Sequence, residues 1–365
     1  MDSSTIRSPE EIRRLKIFKK GIDFTILIVG EEGLGKSSFI NSLCQKQVLL
    51  KETENVNPSN SHLNPGLKID KIHVNIVEEN STPISLDLIL TPGFGDNIDN
   101  SFVTNRIVEY LEAQFDAVLS EEYKIQRNSH FKDGRPHVCL YFIRPTSKGL
   151  RELDIQIMKE LSTRVNVIPV ISKADSLTSE ELILNKALIL QDIKSNNIKV
   201  YDFAVDETDF ETIDEFNFLK QNLPFAVSGS YEKKTINGNV CHVREYPWGT
   251  FKVEDVEHND FTHLRNVLFG SHLQELKEST GSKIYEFYRR SKLVNGIPTS
   301  PIVKTRLNDY ESTINSKLSL THPAKPEAEE YVDPVEELLR KKMMIESYAN
   351  EIKMLEAKIR QASLS

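Results

Sequence analysis

The chain has 365 residues, of which 39% are hydrophobic and 27% charged, enough apolar material for one large buried core with appendages. A formal net charge of -8 argues against bulk nucleic-acid binding, and Cys44, Cys139 and Cys241 lack the spacing of a zinc site or a disulfide framework. The longest apolar runs, such as 24–29, are too short to span a bilayer and no signal-peptide core opens the sequence, so a reducing, cytosolic setting is expected.

The first 20 residues are polar and end in a basic cluster, Arg13, Arg14, Lys16, Lys19 and Lys20. From there, short β-branched runs alternate with longer amphipathic stretches. Strands are expected over 24–29, 84–90, 138–143, 165–171 and 225–227, with helices over 36–44, 101–119, 151–161 and 179–196. Such alternation specifies an α/β domain whose mainly parallel sheet is covered by helices on both faces. Periodicity is weaker from there to about residue 290. Gly296, Pro298, Pro301, Pro323 and Pro326 then punctuate a polar linker, and after Pro334 the pattern is helical.

Residues 30–37 read Gly-Glu-Glu-Gly-Leu-Gly-Lys-Ser, matching G-x-x-x-x-G-K-S between an expected strand and an expected helix. Glycines let the backbone wrap phosphates, and the N–H groups at the helix start supply positive potential. The nucleotide-binding set here is Gly30, Glu32, Gly33, Gly35, Lys36, Ser37 and Ser38. Lys36 is assigned to the β- and γ-phosphates and the Ser37 hydroxyl to Mg²⁺. This loop alone leaves ATP and GTP undecided.

Ser172-Lys173-Ala174-Asp175 follows a buried strand, at the place of an N/T-K-x-D guanine-selecting site. The Asp175 carboxylate can accept the N1–H and N2 hydrogens of guanine, which adenine does not offer in that arrangement. Lys173 would lay its aliphatic stem over the base. Ser172 departs from the usual asparagine.

Three further segments carry a family resemblance. Thr91-Pro92-Gly93-Phe94-Gly95-Asp96 resembles the switch II motif of septins. Tyr246-Pro247-Trp248-Gly249, with His258-Asn259-Asp260-Phe261 and Leu264-Arg265 after it, resembles the septin unique element. Phe225 to Ser230 resembles the late base-contacting loop. The resemblance implies a P-loop GTPase fold with a mainly parallel sheet, the septin unique element and a C-terminal coiled-coil helix. It divides the chain into a basic arm (1–20), the GTPase core (21–240), the unique element and terminal helix region (241–290), a linker (291–332) and a coiled-coil segment (333–363). By position it gives Gly229 and Arg244 contact with the base and Gly93 the sensing of the γ-phosphate. It also implies assembly with other septins into hetero-oligomeric filaments, a scaffold at the cell cortex or division site (bud neck or septum). Trp248 falls near the nucleotide-side interface or, alternatively, in the core. Phe131 to Arg135 and the isoleucine-rich tail look most like fungal septins.

The resemblance also exposes departures. A working switch II begins with an aspartate that holds Mg²⁺ through water, and here that position is Leu90. Between Glu54 and Ser81 no threonine is present to serve as a switch I residue, although Ser59 and Ser61 lie there in a segment that reads as a mobile loop. Lys148 stands where many septins have a histidine that reaches the partner's phosphates. GTP or GDP is therefore expected as a bound structural element, with Mg²⁺ binding weakened and hydrolysis slow or absent. The competing readings are a catalytically active switching GTPase, against which Leu90 and the missing threonine count, and an ATP-dependent enzyme, which conflicts with Lys173, Asp175 and Arg244.

The basic cluster resembles the polybasic stretch associated with acidic phospholipids in septins, each charge contributing about 1 kcal/mol near an anionic surface. A solvated charged helix end or a protein interface is the alternative. In the tail, Leu338, Ile345, Ile352 and Ile359 recur every seven residues and would form the seam of a coiled coil with a partner helix. A helix folded back on the domain is the other arrangement.

Overall fold

The computed structural model describes residues 21–49, 67–77, 82–92, 94–95, 100–128, 131–146, 148–203, 218–236 and 239–294. The basic arm, most of the switch I stretch, Gly93, the linker and the heptad tail lie outside the described residues.

Among the described residues the chain begins with β1 (Ile22–Val29), α1 (Lys36–Cys44), β2 (Asp70–Ile76), β3 (Ile84–Leu90), α2 (Ser101–Glu122), β4 (Val138–Ile143), α3 (Glu152–Leu161), β5 (Asn166–Ser172), α4 (Ser179–Ser195) and β6 (Phe225–Val227). Then come β7 (Lys233–Ile236), β8 (Asn239–Tyr246), β9 (Gly249–Lys252), α5 (Phe261–Asn266), α6 (Leu273–Glu278) and α7 (Glu286–Val294), with π-helical turns at Val267–Ser271 and Ser279–Tyr285. The main sheet runs β2-β3-β1-β4-β5-β6 and is parallel except for β2, which pairs antiparallel with β3.

The alternation of side chains along each strand divides the core in two. In β1, Phe24, Ile26 and Ile28 join one cluster, with Phe39, Ile40 and Leu43 of α1 and Leu264 of α5, while Leu27 and Val29 join the other. That second cluster takes Val103, Ile107 and Leu111 from α2, Ile157 and Leu161 from α3 and Ile189 from α4. Burial on both faces explains the near-continuous apolar runs of β4 and β5.

Two features were not anticipated. The edge strand β2 buries only Val74 and Ile76, so its Asp-Lys-Ile-His-Val-Asn-Ile run carries little strand signal. The separate β7-β8-β9 sheet occupies the segment of weak periodicity, and β7 and β9 are largely exposed.

At the N-terminal ends of β4 and β5, a buried polar staple holds the C-terminal helices. Asn166 Nδ2 donates to the His137 carbonyl (2.8 Å), Ser279 Oγ donates to Asn166 Oδ1 (3.0 Å), and Thr280 Oγ1 donates to the Leu276 carbonyl (2.8 Å). The opposite, C-terminal ends of the strands lead into the residues of the site: Gly30 after β1, Thr91 after β3, Arg144 after β4, Lys173 after β5 and Ser228 after β6. In open α/β sheets that edge is where ligands bind.

Candidate nucleotide-binding site

The phosphate loop joins β1 to α1. Gly30 has φ 152°, and a Cβ there would lie 2.7 Å from Phe142 Cβ, so the turn needs glycine. Lys36 Nζ donates to the carbonyls of Gly30 (2.6 Å) and Glu31 (2.5 Å), which folds the amine over its own loop. Glu32 and Gly33 are exposed at the tip, and Ser37 is exposed in the first turn of α1.

A charge network lies beneath, in which buried carboxylates meet partly exposed arginines. Glu31 is 7% exposed and ion-pairs with both Arg144 and Arg151. Arg151 also donates to Asp154 (Nε to Oδ2, 2.9 Å), and Asp154 Oδ1 accepts from the Tyr141 hydroxyl (2.8 Å). The hydrogen bond to Asp154 and then its charge, with Glu31 adding to them, push the Arg151 pKa above its ordinary value. Burial, followed by the Asp154 charge, keeps the Tyr141 phenol protonated. A Cβ on Gly95 would sit 2.9 Å from Glu31 Cγ, so this acid also underlies the turn after β3.

The base-side residues meet beside the loop. Gly35, Ser38, Lys173, Gly229 and Arg244 line one pocket, together with Leu34 and Phe39. Lys173 is held at φ 49°, ψ 51°, a left-handed conformation uncommon for a side-chain-bearing residue and concentrated at functional positions. Asp175, whose side chain is 3% exposed, accepts from Ser228 Oγ (2.8 Å) and from the Tyr246 hydroxyl, with Arg244 Nη1 at 3.5 Å. Ser172 Oγ donates to the Ile143 carbonyl (2.9 Å), tying β5 to β4. Asn259 fixes the neighbouring loop: its amide accepts from Ser228 N (3.0 Å) and donates to the carbonyls of Ser228 (3.0 Å) and Val253 (2.6 Å). Trp248 is 81% exposed and stacks on Tyr246, which sets aside a place in the core.

The residues present fit phosphates and a purine. The loop offers backbone and Lys36, and the pocket beside it offers flat Arg244 and the Asp175 acceptor. For Mg²⁺ the donor set is thinner: Ser37 has its hydroxyl at the start of α1, but the end of β3 presents Leu90, which has no donor atom. Asn259 lies in the His258–Phe261 segment already noted, but no local pattern joins Glu31, Arg151 and Asp154 into a supporting set. The signal available was the pair of acidic residues inside a phosphate loop and the two arginines flanking 144–151.

A doubly covered, mainly parallel sheet with a phosphate loop after its first strand and a guanine-type acceptor after β5 defines the GTPase-like P-loop class. The septin family model matches residues 20–300 of the chain. Cell division control protein 11 of Saccharomyces cerevisiae is 41% identical over 330 residues, covering 88% of this chain and 80% of the relative. Sporulation-regulated protein 28 of the same yeast is 42% identical over 328 residues, covering 78% and 77% respectively. The crystal structure of Cdc11 from Saccharomyces cerevisiae aligns with 34% identity over 74% of this chain and 99% of that one, at a TM-score of 0.48. The chain belongs to the septin family, and guanine-nucleotide binding and assembly with other septins follow from that membership.

Proposed function

We infer that the chain is a septin subunit that holds GTP or GDP as a structural element within hetero-oligomeric filaments at the cell cortex or division site, and that hydrolyses GTP slowly or not at all. The observation that carries the reading is the meeting of Lys173, Gly229, Arg244 and Asp175 beside an intact phosphate loop, with Leu90 at the end of β3 where a metal-holding carboxylate is required.

In this reading Gly30, Glu32, Gly33, Gly35, Lys36, Ser37 and Ser38 take the phosphates, with Gly93 at the γ-phosphate. Lys173, Asp175, Gly229 and Arg244 take the base, and Ser37 is the ligand for a weakly held Mg²⁺. Residues 21–240 act as the nucleotide-binding core and 241–290 as the unique element. The basic arm serves acidic phospholipid, and the 333–363 segment pairs with a partner helix. The names of the relatives speak of cell division control in one case and of sporulation in the other, and both are compatible with a scaffold at a septum.

The test is to purify the chain with its septin partners, denature the complex and identify the released nucleotide by chromatography. Retained GTP is expected, unchanged with time after loading. Steady conversion of loaded GTP to GDP at the rate of an active septin overturns the slow-hydrolysis reading. Asp175→Asn should weaken guanine-nucleotide binding about 100-fold or more, because the base would lose a charged double acceptor.

A further inference from the structure

The carboxylate assigned to the base is already engaged by three protein groups. Ser228 Oγ donates to Asp175 Oδ1 at 2.8 Å, while the Tyr246 hydroxyl donates to Oδ2 and Arg244 Nη1 lies 3.5 Å from the same oxygen. A carboxylate has about four lone-pair sites, and guanine asks for two of them side by side, one for N1–H and one for the amino group. Arg244 at 3.5 Å makes a loose ionic contact that a base can share. The Tyr246 contact is different, because it commits a lone pair of Oδ2 to a neutral donor with which a base donor on the same oxygen has to compete.

The phenol oxygen moves only with its ring, and this ring is engaged elsewhere. It stacks on Trp248 with centroids 5.0 Å apart and planes 6° from parallel, and the Arg244 guanidinium lies 5.4 Å from its centroid. Tyr246 ends β8 and Gly249 begins β9, so Tyr246 and Trp248 share one tight hairpin end. Trp248 itself is 81% exposed. A push on the Tyr246 hydroxyl from inside the site is thus delivered to an aromatic surface outside it.

We propose that Tyr246 is a displaceable latch on Asp175: guanine competes with its hydroxyl for the carboxylate, and lifting the phenol shifts the Tyr246–Trp248 stack at the exposed β8–β9 turn. The proposal rests on the reading of Asp175 as the base acceptor. It makes Tyr246 a positioning residue that lowers guanine affinity and carries base occupancy to the exposed Trp248 ring.

The sequence supplies the probe, since Trp248 is the single tryptophan of the chain. The full chain is titrated with GDP, and with ADP as control, by calorimetry and by acrylamide quenching of tryptophan fluorescence. In the wild type, GDP but not ADP is expected to change the quenching of Trp248. Tyr246→Phe keeps the ring stack but removes the competing donor, and should bind GDP about tenfold tighter, the equivalent of one hydrogen bond to a charged acceptor. Tyr246→Leu removes the stack, and should bind GDP while losing the quenching change.

Equal or weaker GDP binding by Tyr246→Phe overturns the latch, as does a Trp248 signal that stays fixed while calorimetry shows GDP bound to the wild type. A wild-type chain that takes up no GDP in calorimetry overturns the base-site reading itself and the latch with it. The wild-type fluorescence measurement needs no variant, so a poorly folding substitution leaves the proposal exposed to refutation.

Discussion

Leu90 faces Asp70 across the antiparallel β2–β3 pair, with Ile28 beside it on the parallel β1–β3 side. Directly opposed residues project to the same face of a sheet, so the last side chain of β3 before the switch II turn is apolar but has a carboxylate next to it. Leu90→Asp would set two carboxylates opposite each other, which costs about 0.2–1 kcal/mol unless a cation bridges them. The variant should therefore melt at lower temperature than the wild type in EDTA and recover in millimolar Mg²⁺. The wild-type melting temperature should hardly respond to the same change. A Leu90→Asp midpoint indifferent to Mg²⁺ counts against β3 as the metal side of the site.

His137 gives the protein an acid-sensitive point far from the nucleotide. Its Nδ1 accepts from the Thr25 amide (2.9 Å), and its ring stacks on Phe24. Burial, assisted by the nearby charges of Lys277 and Arg135, lowers its pKa from 6.5 to about 4. An unfolded chain takes up this proton near the ordinary value, whereas the folded chain resists until about 4. The unfolded state thus binds more protons between those values, and stability falls as pH falls through that window. From about pH 7.5 to about pH 5 the loss from this group is about 2 kcal/mol. Urea unfolding at the two pH values should show that loss in the wild type and much less of it in His137→Gln, whose side-chain oxygen can still accept from Thr25. An equal loss in both proteins would place the acid sensitivity elsewhere.

These residues also show what the sequence made legible. The loop from Gly30 to Ser38 and the Lys173–Asp175 segment are each contiguous, and their chemistry depends on local spacing, so the sequence alone displays them. The strands of the central sheet are legible because two-sided burial writes them as apolar runs. The Glu31–Arg144 pair joins residues 113 apart in the chain, and Tyr246 reaches Asp175 over 71. No local period records such pairings. Strand β2 escaped for a different reason: a half-exposed edge strand carrying Lys71, His73 and Asn75 looks like a polar loop until β3 is beside it.

Asn259 is the side chain on which the base loop depends. Its amide makes bonds to both backbone groups of Ser228 and to the Val253 carbonyl, and its oxygen also accepts from Phe261 N (3.3 Å). At 2% exposure, water cannot readily replace it. Asn259→Ala leaves those buried groups unpaired, at about 1–3 kcal/mol for each one that stays unsatisfied. The unfolding midpoint should drop by several degrees, and GDP affinity should drop further than under Asn259→Asp, whose oxygens still accept from Ser228 N. Affinity that survives Asn259→Ala unchanged would mean that the 228–230 loop is held by β6 alone.

The packing of Gly229 against α1 makes the most direct demand on the site. A Cβ at this position would lie 2.8 Å from Phe39 Cα, 2.9 Å from Phe39 N and 3.0 Å from the Ser38 carbonyl carbon, all of them backbone atoms of the helix that follows the phosphate loop. Backbone in a helix cannot rotate out of the way as a side-chain tip can, so the loop itself must back off. Gly229→Ala should cost about 1–3 kcal/mol, the usual range for overpacking a close-packed contact. The same retreat moves Ser228 away from Asp175 and opens the pocket shared with Lys173 and Arg244. GDP binding should therefore fall more steeply than stability. Gly270→Ala is the matched control, because a Cβ there meets nothing within 4 Å and the position lies away from the pocket and the β8–β9 hairpin. Calorimetric GDP titrations and urea midpoints of the two variants separate a pocket effect from general destabilisation. Equal GDP affinities for the two would show that the base does not require Gly229 to stay in contact with α1.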